Sequence, residues 1–382
     1  MKINFKKDET LFKEEFLFKK PYLFKSVIKT KDITWDLVNE VYTRADCSSD
    51  GFKLMKGEEV PKNEYIEVHL NVGIPEARII REKLYKHLRD GATLVYNRIK
   101  NEPIFDQIAK EISTFTRSQV ITSGYLAFGK RPSYKSHWDT RDVFAVQLMG
   151  KKRWVIKEPN FPNPIYTQQN KFLKDIKEPN EVYMDVTIEQ GDVLYVPRGW
   201  WHNPIPTGEN TFHLAVGTFP PTVYDYFRWI IRKSSNLESV REGIVDHYNN
   251  LSIASNDFSK IIDSEKNFQE FMDYYIGEQR INSPLCTDTL GNPSFKNFSL
   301  DSRIEINAPF FYESSREGSY VILNGVKINS DEEGLKLLRH IEQQGSCRIH
   351  ELMQKFSPEN ESLIQDLVLN LAMNDVVQIF PS

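Results

Sequence analysis

SHWDTRDVFAVQLMGKKRW (Ser136–Trp154) and GDVLYVPRGWWHNP (Gly191–Pro204) are the two stretches that decide the fold. The first offers His137 and Asp139, two positions apart, and the second offers His202. In an extended strand alternate side chains share a face, so His137 and Asp139 are expected to point one way and Trp138 the other. A pair at this spacing holds a metal ion only when a third ligand arrives from another strand, and His202 is placed to be that ligand. Two imidazoles and one carboxylate, with no fourth protein ligand, are the donor set of a mononuclear Fe(II) centre that keeps positions open for a cosubstrate and oxygen.

The lead-in to His202 has a mechanical reading. Gly191 and Asp192 turn the chain into a strand, Pro197 and Gly199 bend it again, and the imidazole projects inward at the bend. An H-x-D pair alone recurs by chance, but the two blocks together, in this order, make chance a poor explanation. The spacing G-x5-P-x-G-x2-H over Gly191–His202 resembles the second motif of the cupin fold, with the first motif present as H-x-D in place of H-x-H. Around these blocks Ser118–Phe128, Val143–Met149, Lys152–Ile156, Glu181–Ile188, Val193–Val196 and Thr211–Thr218 read as short strands. Such strands with Gly and Pro corners make a sandwich or barrel. The expected core is a double-stranded β-helix.

Outward from the core the patterning turns helical. Helices are expected over Glu9–Phe16, Asp36–Ala45, about Ile74–Leu88 with Pro75 at its start, and Ile104–Thr114, with an entry strand at Pro21–Ile28. After Pro220–Pro221 come helices Val223–Lys233, Leu237–Asn249 and Asp257–Tyr275. Tyr226, Phe227, Phe268, Phe271 and Tyr275 give these an aromatic face, to be read either as packing on the β domain or as a self-association surface. Residues Asn282–Asn307 read as a linker. The end of the chain reads strand (Tyr320–Leu323), helix (Glu332–Gln344), helix (Arg348–Lys355), helix (Pro358–Met373, capped by Ser357) and strand (Val376–Phe380), an order that resembles a winged helix.

Composition excludes several classes. The 382 residues are enough for two or three domains, and a net charge of −4 gives no reason to expect nucleic acid or an anionic membrane as partner. Cys47, Cys286 and Cys347 are odd in number and widely spaced, which is neither a disulfide framework nor a zinc cluster and fits a reducing compartment. The start, MKINFKKDETLFKEEF, has no apolar signal region, and no run approaches a membrane span, so a cytoplasmic location is expected.

A second cation site is legible after the turn at Gly150. Lys151, Lys152 and Arg153 follow one another, and alternation puts Lys152 on the face of Trp154, with Lys151 and Arg153 on the other. A cosubstrate such as 2-oxoglutarate needs a cation for its distal carboxylate, and Lys152 is the expected one.

The chain resembles the JmjC-type ribosomal oxygenases over most of its length. The resemblance rests on the central stretch Tyr134–Gly217, on the opening LFKEEFLFKKPYLFK (Leu11–Lys25), and on the helical middle and the winged-helix-like end, while HWD followed by WWH points to a divergent bacterial branch of the family. It implies an α+β protein with a JmjC/cupin core and helical additions. Three parts follow: an oxygenase domain over 1–222, a helical, dimer-forming segment over 223–281, and a linker with a winged-helix-like domain over 282–382. It also implies Fe(II) held by His137, Asp139 and His202, with 2-oxoglutarate and O2 as cosubstrates. The family's cosubstrate cation lies fifteen residues after the first metal His, at Lys152, and a helper tyrosine twelve residues before it, at Tyr125. The implied reaction is oxidative decarboxylation of 2-oxoglutarate coupled to hydroxylation of a protein side chain, the family's substrates being ribosomal proteins. Two alternatives stay open: a hydroxylase or demethylase of a peptide or small molecule, and a metal-binding cupin scaffold without turnover.

Smaller expectations complete the picture. The last helix, Pro358–Met373, holds Glu359, Glu361 and Asp366 and neither Lys nor Arg, so no DNA partner is expected and a structural or protein-binding role is favoured. His213 is read as a packed core histidine in preference to a fourth ligand, and Trp200 and Trp201 as either core or substrate entrance.

Overall fold

Short apolar runs with glycine corners become two facing antiparallel sheets. The computed structural model describes residues 2–6, 8–244, 248–281, 283–314, 320–356 and 361–380. Its contacts divide the chain into one unit over 1–219 and a second over 220–382.

In the first unit a three-residue helix α1 (Glu9–Leu11) runs on into a π turn (Phe12–Phe16), then β1 (Tyr22–Phe24) and α2 (Trp35–Arg44). The Thr34 hydroxyl caps α2 by accepting from Leu37 N–H. Next come β2 (Phe52–Met55), β3 (Ile66–Asn71), β4 (Ile74–Ile79), α3 (Arg81–Arg89), β5 (Thr93–Asn97) and α4 (Pro103–Thr116). The barrel strands follow as β6 (Gln119–Ala127), β7 (Asp142–Met149), β8 (Lys151–Lys157), β9 (Met184–Glu189), β10 (Val193–Val196), β11 (Trp201–Pro206) and β12 (Thr211–Phe219).

The larger sheet has the order β1-β10-β7-β12-β6-β5-β2, and the smaller β11-β8-β9. This is the double-stranded β-helix expected from the sequence. Alternation sorts each central strand between two environments. Phe144, Val146 and Leu148 of β7 and Phe212, Leu214 and Val216 of β12 join Phe12, Val38, Phe105, Ile108 and Ile112 in the core under the helices. Ala145, Leu194 and Val196 of the large sheet meet Trp154, Ile156 and Ile188 of the small one in a second cluster. The interior of the barrel is therefore fed by the odd positions of β7 and β12 and the even positions of β8.

Three expectations about the first unit change. The helix expected over Ile74–Leu88 begins at Arg81; residues Ile74–Ile79 form β4, paired with β3. Val72 and Gly73 both have positive φ, the two-residue hairpin turn that matches strand twist, so Pro75 lies in a strand and not at a helix start. Strand β11 was not legible because Pro204 and Pro206 argue against a ladder. Its one ladder among the described residues is with β8, so it forms a sheet edge, where a missing N–H is tolerated. His137 and Asp139 do not lie in a strand; they occupy an irregular approach to β7, with a single bridge from His137 to His202.

The second unit opens with helices α5 (Val223–Ser234), α6 (Glu238–Arg241), α7 (Tyr248–Ile262) and α8 (Glu265–Gly277). Of the helix expected over Leu237–Asn249, residues 245–247 lie outside those described, and the break near Asp263 is capped by Ser264. The aromatic face is mostly spent within the unit: Tyr226, Ile230 and Phe271 are buried against Trp229, Phe258, Met272 and Tyr275. Phe227 and Phe268 remain exposed.

Further along lie α9 (Thr287–Leu290), β13 (Arg303–Ile306), β14 (Tyr312–Glu313), β15 (Tyr320–Leu323), β16 (Val326–Asn329), α10 (Glu332–Gln344), β17 (Cys347–Arg348), α11 (Ile349–Phe356), α12 (Glu361–Met373) and β18 (Val377–Phe380). The stretch read as a linker thus supplies β13, the centre of the sheet β17-β13-β18. Tyr320–Leu323 belongs to a separate meander, β14-β15-β16. Ser357 and Pro358, the expected cap, lie outside the described residues. No helix among the described residues is long and apolar enough to cross a membrane.

The turn into β10 is held by Asp192. Its buried carboxylate accepts from Ser26 N–H (2.9 Å), Glu189 N–H (2.9 Å) and Lys25 Nζ (2.7 Å), tying the entry strand to the barrel. Asp192→Ala leaves two backbone donors without their acceptor and is expected to lower the unfolding free energy by about 2–4 kcal/mol in urea denaturation. A change below about 0.5 kcal/mol would show that the turn is held by other contacts.

Candidate metal centre

The bend at Pro197–Gly199 and the irregular approach to β7 meet backbone to backbone. His137 N–H donates to His202 O (3.2 Å) and His202 N–H donates back to His137 O (2.7 Å). Gly199 N–H donates to Asp139 O (2.9 Å), and Arg198 N–H to the Asp142 carboxylate (2.8 Å). These four bonds hold the two sequence blocks in one register. Gly199 has φ of +83°, and a Cβ there would lie 2.8 Å from Phe161 O, so the corner requires glycine.

The clamp brings three donors together. One ligand atom from each of His137, Asp139 and His202 lies within 4.8 Å of the others, the one such cluster among the described residues. Each histidine has its Nδ1 against a backbone carbonyl, Lys135 O (2.9 Å) for His137 and Trp200 O (3.0 Å) for His202. That contact sets the tautomer with the proton on Nδ1 and leaves the Nε2 lone pair for a metal. His202 Nε2 is 3.8 Å from Asp139 Oδ2.

Electrostatics keep His202 and Asp139 in the ligating state. Burial, with His137 nearby, pushes the His202 imidazole down to about 4, so it stays neutral at physiological pH. Burial alone would raise the Asp139 carboxyl, but Arg141, His137 and His202 more than offset it and hold it below its ordinary value. A neutral His202 imidazole and an ionised Asp139 carboxylate fit a divalent ion such as Fe(II).

A second polar site lies further into the barrel. Lys152 on β8 is 1 % exposed, with Nζ 3.2 Å from His213 Nδ1 and no carboxylate partner among the described residues. His213 stacks on Tyr125, centroids 4.9 Å apart, as their cross-strand pairing dictates. The Trp154 ring lies 6.0 Å from that of His202 and 5.8 Å from that of His213, and its buried Nε1 has no hydrogen-bond partner among the described residues. A buried cation and an orphaned N–H are what a small dicarboxylate would satisfy. Burial pushes the Lys152 ammonium down to about 7, and it pushes the Tyr125 phenol up to about 12.

The structure therefore brings His137, Asp139 and His202 to one place and Lys152 and Tyr125, joined through His213, to another. Arg153 instead pairs with Asp185 at the surface, and Lys151 with Glu209. His213 lies at Lys152 and outside the three-donor cluster. Trp200 and Trp201 are both buried, Trp201 donating to Asn160 Oδ1 (2.9 Å), which answers the choice between core and entrance in favour of core. The sequence reading missed the His213–Lys152 contact; the shared inward parity of β8 and β12 was its only signal.

Comparison with known proteins places this geometry. The JmjC domain family matches residues 94–226. Among characterised proteins, a Dictyostelium discoideum protein named bifunctional lysine-specific demethylase and histidyl-hydroxylase NO66 is 28 % identical over 167 residues, 42 % of this chain and 32 % of that protein. The like-named Drosophila persimilis protein is 25 % identical over 193 residues, 47 % and 27 % of the two chains. The chain thus spans about a third or less of the length of these curated relatives. Among solved structures, the Escherichia coli ribosomal oxygenase YcfD aligns over 100 % of both chains with a TM-score of 0.59 at 15 % identity. Its complex with cobalt and 2-oxoglutarate aligns over 99 % of both with a TM-score of 0.58 at 15 % identity.

Burying Lys152 has an energetic signature. Its folded pKa of about 7 lies below the ordinary 10.5, so the unfolded chain holds the proton more tightly between those values. The destabilisation is full below about pH 7, shrinks as pH rises, and vanishes above 10.5. Lys152→Met is therefore expected to raise the unfolding free energy at pH 7 by about 2–4 kcal/mol, with a smaller gain at pH 9. Denaturant unfolding at both pH values measures this, and a loss of stability at both would show that Lys152 is a structural residue.

Proposed function

We propose that this chain, whose residues 94–226 match the JmjC domain family and whose fold is that of a ribosomal oxygenase, is an Fe(II)- and 2-oxoglutarate-dependent oxygenase that hydroxylates a side chain of a protein. The observation that carries the reading is the coexistence, in one barrel, of a three-donor cluster and a buried lysine without a carboxylate partner among the described residues. A catalytically idle scaffold has no use for the second, because an uncompensated buried cation only destabilises the fold.

Roles follow from position. His137, Asp139 and His202 would hold Fe(II) on one side and leave the remaining positions open. Lys152 would take the distal carboxylate of 2-oxoglutarate, with Tyr125 and His213 lining that end. When bound, iron and 2-oxoglutarate would supply the means to use O2 as the oxidant, one oxygen atom going into the succinate formed with CO2 from 2-oxoglutarate and the other into a substrate C–H bond. The chain's own contribution is to keep the His202 imidazole neutral, hold the Asp139 carboxyl ionised and exclude water with Trp154, Trp200, Leu194 and Val196.

The relatives named histidyl-hydroxylase and the neighbours named ribosomal oxygenase support a ribosomal protein as substrate. A cytoplasmic location is proposed with it, and no DNA partner, since α12 carries no Lys or Arg. A homodimer is the proposed assembly, with Val223, Phe227 and Ile231 exposed along α5 and Phe268 exposed on α8 as its contact.

Purified protein supplied with Fe(II), ascorbate and 2-oxoglutarate is expected to release succinate in step with substrate hydroxylation. Intact-mass comparison of ribosomal proteins from cells with and without the gene should show one protein lighter by a single oxygen in its absence. Succinate release with no such shift would redirect the search to a peptide or small-molecule substrate, and no cosubstrate binding would favour the scaffold.

Cosubstrate binding should also move a proton. Free Lys152 is mostly neutral at pH 8, and a carboxylate beside it raises its pKa, so binding takes up close to one proton there. Affinity for 2-oxoglutarate is expected to fall up to about tenfold per pH unit between pH 7 and 9. Titration calorimetry in two buffers of different ionisation enthalpy reads the uptake; none at pH 8 would remove Lys152 from the site.

A further inference from the structure

Arg141, two residues beyond the candidate ligand Asp139, has entered so far only as a charge that lowers the Asp139 carboxyl. Its Nη2 is 3.9 Å from Asp139 Oδ1, while the other oxygen, Oδ2, is 3.8 Å from His202 Nε2. The carboxylate thus lies between the Arg141 guanidinium on one side and the His202 imidazole on the other.

The segment that carries both residues is fixed at each end. Asp139 O accepts from Gly199 N–H and the Asp142 carboxylate accepts from Arg198 N–H, so the backbone from 139 to 142 is held against the bend that presents His202. The arginine side chain then crosses β12 at Gly217. A Cβ built on Gly217 would lie 2.5 Å from Arg141 Cδ and 2.7 Å from its Nε, closer than a methyl group tolerates. Glycine at 217, where neighbouring interior positions of β12 are His213 and Ala215, leaves the groove through which the guanidinium reaches Asp139.

We propose that Arg141 is a positioning residue for the metal ligand Asp139: lying in the groove over Gly217, its charge faces Oδ1 at 3.9 Å and leaves Oδ2 as the oxygen presented to the metal. A carboxylate free to rotate could chelate through both oxygens and occupy a position that the cosubstrate needs; one held by a guanidinium binds through one oxygen. The inference rests on the proposed metal centre and concerns Arg141 and Gly217, which that reading does not use.

Mn(II) serves as the probe, its binding followed by titration calorimetry and by the electron paramagnetic resonance of the bound ion, without turnover. Arg141→Gln is expected to weaken Mn(II) binding about 10–100-fold and alter the spectrum, with Arg141→Lys recovering part of the affinity. Gly217→Ala, whose methyl displaces the flexible arginine while leaving it in the chain, should reproduce the weakening. Unchanged affinity and spectrum in both Arg141→Gln and Gly217→Ala would overturn the proposal. Asp139→Ala separates the two levels. If it abolishes Mn(II) binding while the Arg141 and Gly217 variants bind normally, only the positioning role fails; if it leaves binding intact, the metal centre itself is misplaced.

Discussion

Two backbone hydrogen bonds, His137 N–H to His202 O and His202 N–H to His137 O, are the constraint on which the rest of the site depends. They join an irregular approach to β7 with the first turn of an edge strand, neither of which a regular ladder would hold. Each backbone bond contributes only about 1 kcal/mol net, but the pair sets which atoms of two distant blocks face each other. With that register imposed, the Nδ1 contacts to Lys135 and Trp200 carbonyls turn both Nε2 atoms toward Asp139. The seven-stranded sheet supplies the rigid wall, with large aliphatic and aromatic side chains toward the helices and, toward the barrel interior, Ala145, Leu194 and Val196 beside the polar His213.

The interior is where stability has been given up for function. Lys152 lies among Trp154, His213 and Tyr125 with no carboxylate to compensate it among the described residues, and its ammonium is depressed to about 7 by that burial. A barrel optimised for stability alone would place an aliphatic residue there. The aromatic stack of His213 on Tyr125 serves the same end, since it occupies with flat, weakly polar groups a volume that aliphatic side chains would otherwise close.

Much of this was legible before any coordinates, and the misses have physical causes. Strict alternation separated Lys152 from Lys151 and Arg153, and the structure turns the latter two outward to Glu209 and Asp185. At His137 and Asp139 the expected outcome holds, since their ligand atoms converge, but not through alternation, because neither residue lies in a strand. Pro75 and the helical spacing of Ile79, Ile80, Leu84 and Leu88 overstated α3, since the turn at Val72–Gly73 is recognisable only once both residues are seen at positive φ. Asn282–Asn307, polar and with proline, hid β13, a four-residue strand whose register is set by partners more than forty residues away.

By itself the sequence determined the donor types, the order of the two blocks, the glycine corners and the parity of the cation after Gly150, because each depends on covalent spacing and local backbone preference. Only the tertiary structure decided that Asp139 Oδ1 meets Arg141 across Gly217, that His213 meets Lys152, and that Pro204 and Pro206 lie in a strand. Those outcomes depend on which strands become neighbours. Pairing between segments far apart in the chain is set by the summed burial of the whole barrel and leaves no local mark on the residues it joins.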